Sequence, residues 1–101
     1  MVLAQVIWAE ARGESKQGKC AVAHVVLNRV KDRRFPNTVQ AVATQPGQFA
    51  LKRGSGRLWD ECIEVANDPG SDPTGGALYF ATYKAWPKKI IARIGRHLFF
   101  R

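Results

Sequence analysis

The sequence predicts an α+β domain, mainly helical, with about four helices and a short antiparallel sheet. Apolar residues recur at helical spacing in separate segments before residue 68. Strand-like composition begins only at Ala77-Leu78-Tyr79-Phe80, and the chain finishes on a second aromatic run, His97-Leu98-Phe99-Phe100, just after Gly95. A length of 101 residues suits one compact domain, 1–101, and 46% hydrophobic residues are enough to build its core.

The first helix is expected to carry Val2, Leu3, Val6 and Ile7 on one buried face. Gly13 is expected to stop it in the left-handed conformation that glycine adopts without a Cβ clash. Glu14 to Gly18 reads as a short polar connection, in which Glu14 could cap or lead into the second helix. That helix, about Gly18 to Val30, is apolar around nearly its whole circumference, so it should be central. Val22, Val25 and Val26 are poor helix formers, so burial must hold this segment. Asn28, at its polar end, is expected to bond backbone and fix the next loop. Phe35-Pro36 is extended, and Thr38 caps a short third helix, Val39 to about Thr44.

Pro46-Gly47 is a turn that leaves Gln45, Gln48 and Phe49 on a loop. Amides beside a ring suit a sugar, although a plain turn with one core phenylalanine explains the same residues. Lys52 to Arg57 is flexible and basic. The fourth helix, about Leu58 to Asn67, has a buried stripe of Leu58, Cys62, Ile63, Val65 and Ala66. Asp60 and Glu61 in its first turn would suit the helix dipole. The loop ending Asp72-Pro73-Thr74-Gly75-Gly76 is either a tight turn or, through free amides at the paired glycines, a hold for an oligosaccharide. Tyr79, Phe80, Tyr83 and Trp86 make either a small second core or a sugar platform. The last strand is expected to pair with Ala77 to Phe80.

The stretch with chemistry in it is Trp8-Ala9-Glu10-Ala11-Arg12-Gly13-Glu14. Glu10 falls in the last turn of the first helix, at the negative end of its dipole. An anion is disfavoured there, which suits a group that must deliver a proton. A solvated helix-end acid is the plainer reading, and Arg12 could pair with either carboxylate.

Charge and composition remove several classes. No apolar run has the length of a membrane span, and no secretory leader is legible at the N-terminus, although a longer exported protein could contain this domain. Cys20, Cys62, His24 and His97 match no metal-ligand spacing, so neither metal nor cofactor is expected. Free buried thiols are the expected state, and one disulfide between two helices is the alternative outside the cytoplasm. The net charge of +8 and an acid-free stretch from Lys84 to Arg101 favour an anionic partner. A basic nucleic-acid-binding module is the rival class, but no reading helix or RNA-binding aromatic motif accompanies the charge, and nucleic acid is not expected.

Six stretches agree in order over nearly the full length: AEARGE at 9–14, GKCAVAHVVLNRV at 18–30, FPNTVQAV at 35–42, QPGQF at 45–49, DPTGGALYF at 72–80 and IGRHLFFR at 94–101. Together they resemble the SleB-type cell-wall hydrolases, which include spore cortex-lytic enzymes and related bacterial and phage proteins. The resemblance implies a small lysozyme-like fold. It also implies cleavage of the β-1,4 bond between N-acetylmuramic acid and N-acetylglucosamine. The first Glu of the family's EARGE motif, its catalytic residue, maps onto Glu10. Similarity to lytic transglycosylases implies one carboxyl and a 1,6-anhydro product. A two-carboxylate muramidase would need a partner roughly 5–5.5 Å away for retention or roughly 6.5–9.5 Å for inversion, for which Glu14 and Asp72 are the candidates. Glu14, Gln48, Phe49, Thr74, Gly75, Gly76, Tyr79 and Trp86 are the expected substrate-binding residues. A monomer acting on peptidoglycan strands at the cell wall, in the periplasm or outside the cell, is expected, and a phage-encoded origin is compatible with the family. Ala50 to Trp59 departs from many relatives in being short and basic.

Overall fold

The computed structural model describes residues 1–84 and 88–101. Its elements are α1 (Val2–Ala11), α2 (Lys16–Lys31), α3 (Val39–Ala43), α4 (Gly56–Asn67), β1 (Tyr79–Ala81), β2 (Ile90–Ile94) and β3 (His97–Phe100). The fold class is the expected one, four helices with a small antiparallel sheet.

α2 is the hub, packing on α1, α3, α4, β1 and β2. Val22, Val25 and Val26 have no exposed surface. Burying such a side chain is worth about 1.5–3 kcal/mol, against a helix-propensity penalty of at most about 0.7 kcal/mol per residue. Burial therefore decides that this β-branched run is a helix. Val6 and Ile7 of α1, Val42 of α3, Cys62 of α4 and Phe99 of β3 complete the same core. Thr38 caps α3 as expected, its Oγ1 accepting from the Ala41 N–H at 3.1 Å. Both cysteines are free thiols. No helix among the described residues is long and apolar enough to cross a membrane.

Several local expectations need correction. α1 ends at Ala11, and Gly13 is not among the glycines with positive φ. Arg12 keeps helical dihedrals, and the Glu14 N–H donates to Ala11 O at 2.9 Å, so the turn closes without a left-handed residue. Ser15 caps α2 by accepting from the Gly18 N–H, so this helix begins earlier than the glycine suggested. α4 also starts early, at Gly56, which moves Asp60 and Glu61 out of the first turn. It leaves Leu58 on the overhanging first turn, 40% exposed, while burial starts with Cys62.

The sheet order is β1-β3-β2, both pairs antiparallel. Tyr79 lies opposite Phe100 and Ala81 opposite Leu98, the pairing expected for the two aromatic runs. β2 is a strand that the sequence pattern does not announce. It joins β3 through a turn at Gly95 (φ +58°), and its register slips between Ile90 and Ala92. All four residues of β3 are buried.

Candidate active site

β1, the 47–49 loop and the end of α1 enclose an open cleft of about 570 Å³. Its walls carry Glu10, Arg29, Gln48, Phe49, Tyr79 and His97, together with Phe80 to Tyr83. Four of the expected site residues, Glu10, Gln48, Phe49 and Tyr79, therefore come together from three parts of the chain. Glu10 occupies the last turn of α1. The Ala50 N–H donates to its Oε2 at 3.0 Å.

Glu14 is not in the cleft wall. Its side chain is 6% exposed and tied to the β2–β3 turn, where Oε1 accepts from the Arg96 N–H at 3.1 Å and Oε2 from Arg96 Nε at 3.2 Å. The Arg96 backbone bond pulls the Glu14 carboxyl below its ordinary range, against the opposing effect of burial and with help from the Arg96 side chain. A Cβ on Gly95 would land on Glu14 Oε1. From the other side, Lys19, itself buried, donates from Nζ to Glu14 O at 2.6 Å.

Thr74, Gly75 and Gly76 lie in a loop away from these walls. Asp72 organises that loop. Its Oδ1 accepts from the Thr74 N–H and Oγ1, and its Oδ2 from the Gly76 N–H and from Asn28 Nδ2. Burial pushes the Asp72 carboxyl up, but these four bonds outweigh it and leave it below its ordinary value. Asn28 thus fastens a loop more than forty residues on, with a second bond to Ala77 O, rather than the loop next to it. Trp86 lies outside the described residues.

Two residues of the cleft, Arg29 and His97, have no site role on sequence grounds. Arg29 is 4% exposed; its Nε donates to Leu78 O at 2.7 Å and its Nη1 to Gln48 Oε1 at 3.0 Å. Its guanidinium carbon sits 4.8 Å from the ring centres of both Phe35 and Phe49, and 5.1 Å from that of Tyr79. His97, 5% exposed, packs edge-on against Phe80. Burial pushes its imidazole below the ordinary value despite the carboxylates of Glu14 and Glu10, so the ring is neutral at pH 7. An arginine within an apolar helix and a histidine within an aromatic strand are the signals that could have found them. No group of three His, Cys, Asp or Glu side chains comes together among the described residues in a way that could hold a metal.

A helical core carrying a three-stranded flap, with an acidic side chain facing an open aromatic cleft, is the build of a small wall-hydrolase catalytic domain. The chain belongs to the Cell Wall Hydrolase family, whose model matches residues 13–100. Glu10 precedes that match, whereas Glu14, Arg29 and His97 lie inside it. The chain is 36% identical to the spore cortex-lytic enzyme of Oceanobacillus iheyensis over 97% of its own length and 40% of the relative's. It is 38% identical to the Bacillus cereus enzyme, again over 97% of this chain, and covers 42% of that relative. It thus spans about 40% of the length of the curated relatives it matches. The solved catalytic domain of the Bacillus cereus SleB protein matches with a TM-score of 0.78 and 35% identity, over 99% of this chain and 87% of that one. The catalytic domain of the germination-specific lytic transglycosylase SleB from Bacillus anthracis gives 0.80 and 32%, over 98% and 90%.

Proposed function

We propose that this chain cleaves the β-1,4 bond between N-acetylmuramic acid and N-acetylglucosamine in peptidoglycan, as a lytic transglycosylase with Glu10 as its one catalytic carboxyl. The observation that carries this reading is that Glu10 is the one carboxylate among the described residues lining the cleft. Glu14 is committed to Arg96 and Asp72 to its own loop. A single carboxyl can run the reaction in two strokes. It first gives its proton to the glycosidic oxygen as the C1–O bond breaks. The resulting carboxylate then takes the proton of the muramic acid C6 hydroxyl as that oxygen closes on C1. The acid is regenerated, no water is consumed, and the product is a 1,6-anhydro sugar.

The lining of the cleft supports a glycan. Phe49, Tyr79 and Phe80 offer ring faces, and Gln48 offers an amide nitrogen while its oxygen is held by Arg29. The +8 charge favours approach to an anionic wall polymer. The enzyme is proposed to act at the wall as a monomer, without metal or cofactor.

The test is Glu10→Gln on purified wall sacculi. The variant should keep the melting temperature and lose all turbidity-clearing activity. Clearing at the wild-type rate would remove Glu10 from the mechanism. Mass spectrometry of the wild-type digest should show anhydromuropeptides. Reducing muramic acid ends would replace transglycosylation with hydrolysis by a two-carboxylate muramidase.

A further inference from the structure

The environment of Arg29 points beyond packing. A buried cation is retained in a core only when it is fully engaged, and here the engagement is divided between two separate segments. One hydrogen bond goes to Leu78 O at the start of the sheet, the other to Gln48 Oε1 on the 47–49 loop. The ring contacts divide the same way, with Tyr79 on the sheet and Phe49 on the loop. Neither segment is strong alone, since β1 has three residues and the loop has no ladder. Two residues beyond Gln48, the Ala50 N–H holds the carboxyl of Glu10. A continuous set of contacts therefore runs from the guanidinium through Gln48 and Phe49 to Ala50 and then to Glu10 Oε2.

We propose that Arg29 is a positioning residue which sets the spacing of the two cleft walls and, through residues 48–50, the orientation of the Glu10 carboxyl. Its planar fork reaches both acceptors at once, which a lysine ammonium on a flexible stem does not reproduce. The catalytic part of this inference rests on the function proposed for Glu10; the mechanical part does not.

The experiment compares Arg29→Lys, Gln48→Ala and the double variant. It measures kcat and KM on sacculi, the melting temperature, and amide hydrogen exchange at Ala50. Arg29→Lys should lower kcat by about ten- to a hundred-fold, the scale expected when a reacting group is misplaced by about 1 Å, with a smaller change in KM. The Ala50 amide should exchange faster, and in the double variant it should exchange no faster than in Arg29→Lys, because both changes break the same link. A lower melting temperature with kcat intact would mean a purely structural role and overturn the proposal. Gains in Ala50 exchange that multiply in the double variant would overturn it too, by making the two residues independent at that amide. If Arg29→Lys does not fold, Gln48→Ala, at an exposed position, carries the test alone. Unchanged exchange at Ala50 in that variant refutes the link. Failure of the Glu10 assignment is read separately, from Glu10→Gln, and leaves the exchange result standing.

Discussion

Gly95→Ala should be one of the most damaging single-methyl additions in this protein, for two separable reasons. The backbone there is left-handed, at φ +58°, which an L side chain tolerates at about 1–2 kcal/mol. The new Cβ would also land on Glu14 Oε1 and push the carboxylate off the turn. The Arg96 side chain is 82% exposed, so its ion pair with Glu14 adds little. The bond from the Arg96 N–H is different, because its acceptor is an almost fully buried charge, and a bond of that kind contributes about 1.5–3 kcal/mol. The total loss should be about 2.5–5 kcal/mol. At about 4–8 °C per kcal/mol for a domain of this size, the melting temperature should fall by at least about 10 °C. The assay is a double-mutant cycle by denaturant unfolding, with Glu14→Ala as the second change. In the Glu14→Ala background, only the left-handed penalty of about 1–2 kcal/mol should remain, giving a coupling of about 1.5–3 kcal/mol. An equal effect of Gly95→Ala in both backgrounds would refute the clamp and leave only backbone strain.

Two further outcomes concern charged side chains that hold loops and turns. Asp72 and Glu14 both have carboxyls below their ordinary values in the folded state, so each contributes stability above about pH 4 that is lost as pH falls through the folded value. Thermal melts from pH 6 to pH 2 should therefore steepen below about pH 4 in the wild type and flatten in Asp72→Asn; an unchanged profile in that variant would exclude Asp72 as the acid-sensitive group. Lys19→Met should destabilise by roughly 1–3 kcal/mol, because Glu14 O loses its donor in a buried setting, and a variant as stable as wild type in urea would show that this lysine is dispensable.

The helices are legible in the sequence because burial and periodicity agree: Val6 and Ile7 in α1, and the valines of α2, have to face inward for the pattern to make sense. β2 is not legible, since Ile90-Ile91-Ala92-Arg93-Ile94 does not alternate cleanly and its register slips there. Glu10 and the 48–49 loop can be nominated because turn chemistry and residue type are local signals. Glu14 resembles a second acid for the cleft because the residue that claims it, Arg96, lies 82 positions away. Arg29 resembles the polar end of a helix for the same reason, as its acceptors are 19 and 49 positions distant. Asp72 carries a readable hint, because an Asp followed by Thr and two glycines supplies the donors for its own loop.

The order of the strands bears on when the cleft can be completed. β1 and β2 both leave the ribosome before β3, the strand that lies between them and is the only one with which either pairs in the described sheet. Tyr79, Phe80 and Ala81 therefore gain their hydrogen-bonded neighbour only after translation has passed Phe100. A nascent chain stalled short of that point lacks both the neighbour of β1 and the His97 side of the cleft, so the aromatic wall is completed only when residues 97–100 have been added.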